Sequence, residues 1–218
     1  MAPFRILPNL KGPYAPRRLR AARKPTEEKP AMQDAPHRLD SLFLAEEGTL
    51  RMGRQPLYYR RLVPLPKKPH RGPALVFLHE ALGCTAMWHA FPARVAAATG
   101  LSAVSFDRAG YGRSPRTPRP RTKDYLHREA ESVLPRVLEA LGIQHAILVG
   151  HSDGGSIALL AAAALPRTVV GIVTEAAHVF VEPITRAGIR TALAAFAPRQ
   201  LEQRLARYHG AKTRSLFF

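Results

Sequence analysis

The sequence predicts an α/β fold built on a doubly wound, mostly parallel β-sheet with helices on both faces. Short apolar segments typical of buried strands alternate with longer segments typical of helices, and this alternation favours a parallel sheet. Two segments, Ala74–Leu78 and Leu101–Phe106, are almost continuously apolar, as strands covered on both faces should be. Glycine and proline separate the segments and place the turns.

Two strands are predicted ahead of the central part of the sheet. Ser41–Glu46 and Pro56–Val63 have strand-like composition, and we expect a turn at Glu47–Gly48 between them. A Pro/Lys-rich turn at Pro64–Pro73 then leads to the buried strand Ala74–Leu78.

The alternation continues to the end of the chain. Gly100 and Gly142 follow two helical segments, as helix-terminating glycines do. The predicted elements are a helix Met87–Thr99, a strand Leu101–Phe106, an exposed loop Pro115–Arg121, a helix Asp124–Leu141, a strand His145–Val149, a helix Gly154–Leu165, a strand Val169–Thr174, and helices Pro183–Ala197 and Leu201–Tyr208 separated at Pro198.

The chain of 218 residues has a formal net charge of +17, part of which lies in its first segment. Residues 1–38 are rich in Pro and Arg and have no hydrophobic period, so they are predicted to be a disordered basic leader, and Met32 is an alternative start. A basic segment can bind nucleic acid or anionic membranes. It has no aromatic spacing for base stacking and no nucleic-acid motif, so we expect no specific nucleic-acid binding.

Composition narrows the class of protein further. The hydrophobic fraction of 46% is typical of a globular domain. No apolar run is long enough to span a bilayer, and the N-terminus lacks the pattern of a secretory signal. Cys84 is the single cysteine, which excludes an intrachain disulfide. Together these features favour a cytoplasmic protein.

The motif with the clearest chemistry is Gly150-His151-Ser152-Asp153-Gly154, which fits Gly-x-Ser-x-Gly. An apolar strand precedes it and an Ala/Leu-rich helix follows it, the context in which such a serine is a nucleophile on a strained turn. The glycines avoid collisions on either side of the turn. The helix N-terminus then points at the serine and favours negative charge developing on a substrate. We therefore predict that Ser152 is a nucleophile.

Two further segments complete a family pattern. One is Leu75-Val76-Phe77-Leu78-His79-Glu80-Ala81-Leu82-Gly83, a strand that runs into a histidine-containing loop, and the other is Phe106-Asp107-Arg108-Ala109-Gly110-Tyr111-Gly112-Arg113-Ser114. With the Ser152 motif, these segments resemble the α/β-hydrolase superfamily from about Asp40 to His178, in order and in spacing. The resemblance is closest to the serine hydrolases that insert a cap domain after the sixth strand.

The resemblance implies a domain organisation and an oxyanion hole. Residues 39–182 would form the N-terminal part of the hydrolase core, and residues 183–218 the start of a helical cap. The backbone N–H groups of Ala81 and Asp153 would be the oxyanion donors. Where the family usually has His-Gly, this chain has His79-Glu80, and the sequence leaves open whether Glu80 points into the site or lies on the surface.

The resemblance also implies a general base that the pattern does not supply. In the family the catalytic histidine follows the eighth strand, whereas the predicted strands end at the sixth, Val169–Thr174. We therefore expect an incomplete sheet that lacks its last strands, a chain truncated at the C-terminus, and impaired catalysis.

Other residues could replace the missing groups. Of the nine histidines, His178 is the best substitute base, since it follows the sixth strand at the carboxyl edge of the sheet. His151 is expected to point away from the reaction side, and the resemblance makes His79 structural. Glu175 is the candidate acid, because some members of the family place their acid after the sixth strand. Its alternative role is an ion pair with a nearby arginine.

Two functions remain open at this point. The first is hydrolysis of an ester, amide or similar bond of a small molecule through an acyl-Ser152 intermediate, without a metal or an organic cofactor. The second is a non-catalytic truncated remnant that acts as a basic anion-binding protein. The first predicts covalent labelling of Ser152, and the second predicts salt-dependent binding of polyanions. The substrate and the oligomeric state are not determined by the sequence.

Overall fold

The computed structural model describes residues 41–51, 53, 55–66, 72–116, 122–196 and 200–216. They belong to one compact unit, Ala35–Phe218, and a second unit, Met1–Asp34, lies outside the described residues. The predicted disordered leader 1–38, the break at Pro198 and parts of the predicted turns at Pro64–Pro73 and Pro115–Arg121 also fall outside them.

Six strands form one sheet in the order β1-β2-β4-β3-β5-β6. β1 pairs with β2 and β2 with β4 in antiparallel fashion, whereas the pairs β3–β4, β3–β5 and β5–β6 are parallel. This confirms the predicted mostly parallel sheet. The strands are β1 (Phe43–Leu50), β2 (Leu57–Pro64), β3 (Ala74–Leu78), β4 (Ala103–Phe106), β5 (Ala146–His151) and β6 (Val169–Glu175).

Helices cover both faces of this sheet. Their bounds are α1 (Phe91–Thr99), α2 (Tyr125–Arg128), α3 (Leu134–Ala140), α4 (Asp153–Ala164), α5 (Pro183–Phe196) and α6 (Gln200–His209). A π-helical turn, Glu129–Val133, joins α2 to α3, and 3-10 turns span Thr85–Trp88 and Gly210–Leu216. Among the described residues, no helix has both the length and the hydropathy needed to cross a membrane.

The core follows from the alternation of side chains along the strands. All five residues of β3 are buried, and they contribute to two apolar clusters. Val76 and Leu78 pack in the cluster that includes Leu134 and Ile157 of the helices on one face. Phe77 packs in the cluster that includes Ala96 of α1 on the other face. The central strand is therefore covered on both sides, as its apolar sequence predicts.

The predicted turn at Glu47–Gly48 is wrong, because β1 continues through both residues to Leu50. Glu47 lies opposite Arg60 in the ladder and forms an ion pair with it at 3.4 Å. Gly48 lies opposite Tyr59, and a Cβ on Gly48 would come within 3.0 Å of the tyrosine ring. The glycine thus makes room for a cross-strand aromatic side chain rather than for a turn.

Two predicted helices also differ from the structure. The segment expected to be helical from Met87 begins as an α-helix only at Phe91, because His89 adopts a φ of 49° that no α-helix accommodates. The predicted helix Asp124–Leu141 is interrupted by the π-helical turn between α2 and α3. The two helices expected near residues 183 and 201 are present as α5 and α6.

Candidate active site

Ser152 lies at a sharp turn between a strand and a helix. β5 ends at His151, α4 begins at Asp153, and Ser152 between them has φ 51° and ψ −115°. A positive φ on a residue other than glycine costs on the order of 1–3 kcal/mol, and such strain concentrates at functional sites. This is the geometry that the Gly-x-Ser-x-Gly motif predicts.

The glycines of the motif allow the chain to pass through this turn. A Cβ on Gly154 would collide with the carbonyl oxygen of Leu78, and a Cβ on Gly150 would collide with the carbonyl oxygen of Gly154. The start of α4 therefore lies directly against the end of β3. No larger residue fits either position without moving the backbone.

His178 lies beside Ser152, with its Nε2 atom 3.4 Å from the serine Oγ. The chain reverses after β6, where Ala176 adopts φ 51°. Ser156 then holds the backbone of His178 with one hydroxyl group, which accepts a hydrogen bond from the His178 N–H at 2.9 Å and donates one to the His178 carbonyl at 2.8 Å. The histidine is thus positioned by its own main chain.

Gly155 gives the returning chain its space. A Cβ on Gly155 would lie 2.8 Å from the Cβ of Ala177, closer than such carbons approach one another. The second glycine after Asp153, which lies outside the motif, is therefore needed for the segment that carries His178. Sequence reasoning missed both Gly155 and Ser156, because their partners, Ala177 and His178, follow β6 and are more than 20 positions away in the chain.

Glu175 contacts the nucleophile through its backbone and not through its carboxylate. Its carbonyl oxygen accepts a hydrogen bond from the Ser152 N–H at 2.8 Å. Its side chain is exposed. Throughout the part of the chain that the structure describes, neither His178 nor an arginine forms a hydrogen bond or ion pair with the Glu175 carboxylate. The structure brings Ser152 and His178 together, but leaves the predicted acid unconnected to the histidine.

The two predicted oxyanion donors belong to residues near the serine, one adjacent in the chain and one in the same cavity wall. Asp153 is the first residue of α4 and directly follows Ser152, while Ala81 lines the same cavity as Ser152. No hydrogen bond to another described residue engages the Ala81 N–H, which is the condition for a donor awaiting a substrate.

Arg108 joins the loop of Ala81 to the start of α4. Its guanidinium donates hydrogen bonds to the carbonyls of His79 and Glu80 at 3.3 and 3.0 Å, and lies 3.5 Å from the Asp153 carboxylate. The Tyr125 hydroxyl donates to the same carboxylate at 2.8 Å. The Arg108 and Asp153 side chains are only 3% and 10% exposed, so this ion pair is shielded from solvent. The sequence offered no signal for this bridge beyond the presence of Arg108 in the family pattern.

Both ring nitrogens of His79 form hydrogen bonds to the backbone of neighbouring loops. Its Nδ1 lies 2.8 Å from the Glu80 carbonyl, to which it donates, and its Nε2 accepts from the Arg108 N–H at 3.2 Å. These bonds favour one neutral tautomer. The side chain is 1% exposed. His79 therefore supports the loop and is not placed to take a proton from Ser152.

The sequence predicts that the His151 side chain points away from the reaction side, but the structure shows the opposite. It lines the cavity beside Ser152, and its Nδ1 lies 3.7 Å from the carboxylate of Glu80. The physical reason is that β5 extends through His151, which pairs in register with Glu175, so that strand alternation sets the direction of the imidazole. Glu80, whose orientation was open, also lines this cavity, and Gly83 leaves room for its carboxylate.

The cavity has a volume of about 720 Å³, which is large enough for a small-molecule substrate. The loop that follows β3, the turn at Ser152 and α6 all contribute to its wall. The lining residues are Glu80, Ala81, Leu82, Met87, His89, His151, Ser152, Ala176, Leu201, Arg204, Leu205, Arg207 and Tyr208.

α6 is anchored to the core by His209, which is 2% exposed. Its Nδ1 accepts from the Gly112 N–H at 2.9 Å, and its Nε2 lies 2.9 Å from the Leu82 carbonyl, to which it donates. Burial lowers the pKa of His209, an effect that the bond to Leu82 opposes. Lys212 reinforces the anchor by donating to the carbonyls of Gly112 and Ser114 at 2.6 and 2.5 Å.

Cys84 is the single cysteine of the chain. Cys84 is buried. Desolvation and, to a smaller extent, the negative charge of Asp107 raise the pKa of its thiol to about 11, so the thiol is protonated at neutral pH. Within the described ranges, His, Cys, Asp and Glu form no group of three that could hold a metal ion.

Comparison with known proteins gives a family and several structural neighbours. The model of the alpha/beta hydrolase fold family matches residues 73–216. A hydrolase from Pseudomonas aeruginosa superposes with a TM-score of 0.56 at 21% identity, over 79% of this chain and 70% of that one. A predicted CIB-like hydrolase from Thermoplasma acidophilum superposes with a TM-score of 0.54 at 18% identity, over 62% and 64% of the two chains. At these identities the structural likeness concerns the fold alone.

Two curated relatives are more similar in sequence over a shorter stretch. The mouse sn-1-specific diacylglycerol lipase ABHD11 is 31% identical over 101 residues, which are 46% of this chain and 31% of the relative. Its zebrafish counterpart (Danio rerio) is 32% identical over 99 residues, 45% of this chain and 30% of the relative. The matched region thus spans about a third of the length of these lipases.

Proposed function

Because this chain belongs to the α/β-hydrolase fold family, we propose that it hydrolyses an ester, amide or similar bond of a small molecule, with Ser152 as the nucleophile and His178 as the general base. The observation that carries the proposal is the 3.4 Å approach of His178 Nε2 to the Oγ of a serine on a strained turn. Serine catalysis needs a histidine or another base beside the nucleophile. The lipase relatives support an ester as the first substrate to test.

The mechanism follows from these atoms. Neutral His178 takes the proton of Ser152 Oγ as this oxygen attacks the carbonyl carbon of the substrate, and the carbonyl π electrons move to the oxygen. The N–H groups of Ala81 and Asp153 stabilise the resulting oxyanion, aided by the N-terminus of α4. The intermediate collapses, the leaving group takes the proton from His178, and acyl-Ser152 remains. Water then attacks the acyl carbon while His178 takes one of its protons, and the bond between this carbon and Ser152 Oγ breaks as His178 returns the proton to Oγ, which releases the acid.

We propose that the reaction is slow, since no acid among the described residues orients the base. Among the described residues no carboxylate bonds to the His178 ring, and the Ser152–His178 separation exceeds the usual range of about 2.6–3.2 Å for an effective proton transfer. Loss of the orienting carboxylate in a complete triad costs on the order of 10⁴ in kcat. Glu175 would act as this acid only after its exposed side chain rotates toward His178; its observed role is the backbone contact with Ser152.

We assign α5 and α6 to a cap over this site. The support is that α6 supplies Leu201, Arg204, Leu205, Arg207 and Tyr208 to the cavity that contains Ser152. A cap in this position determines which substrates reach the serine, because α6 forms part of the wall of the cavity that contains Ser152.

Labelling and turnover test the proposal. A fluorophosphonate probe and 4-nitrophenyl acetate are applied to the unmodified chain and to the variants Ser152→Ala, His178→Asn and Glu175→Gln. We expect Ser152→Ala to abolish labelling and His178→Asn to slow both labelling and turnover. Glu175→Gln should have little effect, because its carboxylate makes no contact with the site.

Two controls identify the base. His145→Asn removes an exposed histidine at the start of β5 and should leave the rates unchanged. His151→Asn removes the other histidine of the cavity. Loss of turnover in His151→Asn with full activity in His178→Asn would transfer the role of base to His151. Labelling that persists in Ser152→Ala would contradict the proposed nucleophile.

A further inference from the structure

We propose that the cavity beside Ser152 accepts substrates that carry an anionic group, and that Arg204 and Arg207 of α6 bind that group. The inference rests on the proposed function for the reaction at Ser152, but binding of the anion does not require the reaction. It identifies the substrate class as esters with a carboxylate, or a group of similar charge, away from the bond that is cleaved.

The two arginines share the cavity with an apolar surface of the same helix. Arg204 and Arg207 are three residues apart and so lie on one face of α6. Leu201, Leu205 and Tyr208 line the cavity beside them. This wall combines an apolar surface for a short hydrocarbon chain with two cations for a charged end.

Neither cation has an acidic partner among the residues that the structure describes. In the segments that the structure describes, Arg204 and Arg207 form no ion pair or hydrogen bond through their side chains. The acid closest in sequence, Glu202, pairs with Arg214 at 3.4 Å. Arginine stays protonated at any physiological pH, so both charges persist.

The cavity wall holds one acidic side chain against the two arginines. Glu80 is the only carboxylate among the lining residues of this cavity in the described part of the chain, and His151 lies 3.7 Å from it. In the described part of the chain, this wall thus carries two guanidinium groups against one carboxylate, and neither guanidinium group has an acidic partner. A carboxylate or phosphate on the substrate would supply that partner, and paired guanidinium groups are well suited to such ligands.

The position of the arginines relative to the serine is defined by folding. α6 buries Leu205 at 5% exposure and His209 at 2%, and His209 donates to the carbonyl of Leu82, itself part of the cavity wall. The helix that carries the arginines is therefore anchored to the loop that carries Ala81. An anionic end held by α6 would place the rest of the molecule along the path to Ser152.

A pair of esters that differ only in charge tests substrate preference. 4-Nitrophenyl hydrogen glutarate and 4-nitrophenyl valerate have acyl chains of equal length, but the glutarate ends in a carboxylate. We expect the ratio of their kcat/KM values to favour the glutarate. In the Arg204→Gln/Arg207→Gln double variant this ratio should fall by about tenfold or more, which corresponds to about 1.4 kcal/mol. High salt should lower the ratio of the two kcat/KM values in the unmodified chain, because the arginines are exposed and salt screens their charges.

Matched variants separate a specific site from general basicity. Arg186→Gln/Arg190→Gln removes the same charge from α5, whose arginines do not line the cavity, and should leave the ratio unchanged. Arg204→Lys/Arg207→Lys keeps the charge and should retain part of the preference. An equal fall of the ratio in the α5 and α6 double variants would overturn the inference.

A binding measurement decides the inference even without turnover. Ser152→Ala is titrated calorimetrically with monomethyl glutarate and with neutral methyl valerate. Binding of monomethyl glutarate but not of methyl valerate supports the site if the added substitutions Arg204→Gln/Arg207→Gln abolish it. This result would support the site even if Ser152 proves unreactive and the proposed hydrolysis fails. Conversely, Ser152-dependent hydrolysis of the valerate ester, with no preference for glutarate and no arginine-dependent binding, would overturn the inference and leave the proposed hydrolysis intact.

Discussion

At the scale of single residues, the placement of His178 depends on three small residues. Ala176 takes the positive φ that turns the chain back, Gly155 leaves space for Ala177, and Ser156 satisfies both backbone groups of His178. None of the three reacts with a substrate. Their common effect is to hold the segment that follows the edge strand β6, and with it His178, against α4.

Ser156→Ala should release the backbone of His178 from α4. The variant removes two hydrogen bonds to the backbone of His178, so we expect the imidazole to move and kcat to fall on the order of 10², the cost of a misplacement of about 1 Å. Ser156→Thr retains the hydroxyl and should restore part of the rate. Ser215→Ala, which removes an exposed hydroxyl bonded to the Lys212 carbonyl, is the control. A kcat in Ser156→Ala equal to that of the unmodified chain would refute the positioning role.

Arg108→Leu should destabilise the molecule strongly. It leaves the Asp153 carboxylate and the carbonyls of His79 and Glu80 without their shared donor in a buried site, and breaking a buried ion pair costs about 3–5 kcal/mol. Chemical denaturation monitored by fluorescence gives the free energy of unfolding. Arg113→Gln is the matched control, because its ion pair with Glu47 is exposed, and it should change the stability little. Equal effects of the two substitutions would show that Arg108 does not bridge the loop and α4.

At the scale of elements, hydrogen bonds hold the last helical segments to the core. His209 and Lys212 bond to backbone groups of Leu82, Gly112 and Ser114, in the two loops that follow β3 and β4. Loops at the carboxyl ends of parallel strands lie together, so one segment can contact both. The attachment of α6 therefore depends on the protonation state of a buried histidine.

Acidification should weaken this attachment. Burial holds the pKa of His209 below the value of about 6.5 that it has in the unfolded chain. Between these two values the unfolded state binds more protons than the folded state, so stability rises with pH in that window. The contribution is complete above about pH 6.5 and is lost as the pH falls through the lowered folded-state pKa. Protonation also removes the acceptor for the Gly112 N–H.

Hydrogen exchange of residues 200–216, corrected for intrinsic rates, measures the effect. We expect faster exchange at pH 5 than at pH 7.5 in the unmodified chain, and no such change in His209→Gln. His127→Gln, which removes an exposed histidine, should retain the pH dependence. Exchange that stays constant or slows toward pH 5 would contradict a neutral, buried His209.

At the scale of the whole sheet, β6 is an edge strand with apolar side chains in contact with solvent. Val170 and Val173 are 54% and 58% exposed, and the segment that follows includes Phe180 at 66%. Exposed edge strands offer unpaired backbone groups and promote association. At the opposite edge, β1 carries Glu46 and Glu47, which disfavour such contacts.

Val173→Lys should therefore reduce self-association. Light scattering over a concentration series should show association of the unmodified chain, and the lysine should lower it by placing a charge on the β6 edge. Leu44→Lys changes an exposed apolar residue of β1 and is the control for added charge. A chain that stays monomeric throughout the series, or an equal response to both lysines, would exclude β6 as the site of association.

Much of the fold could be predicted because its signals are local. β3 and β4 are recognisable by continuous apolar composition, and Gly100 and Gly142 mark helix ends, since these patterns depend on neighbours along the chain. The expected turn at Glu47–Gly48 failed for the opposite reason. Its glycine serves Tyr59 on the next strand, a partner that no local pattern identifies.

The sequence by itself determined that this chain has a strand, a sharp turn and a helix with Ser152 at the turn. Gly150 and Gly154 lie within a few residues of the serine, and their lack of side chains is what the turn requires. The family followed from the same short segments.

Only the tertiary structure decided which histidine approaches the serine and which charges surround it. His178 is separated from Ser152 by 26 positions, and its approach depends on the reversal at Ala176 and on the hydroxyl of Ser156. Arg204 and Arg207 reach the cavity because His209 bonds to a loop far away in the sequence. Contacts of this kind arise from the packing of distant segments, and the local sequence around each residue does not encode them.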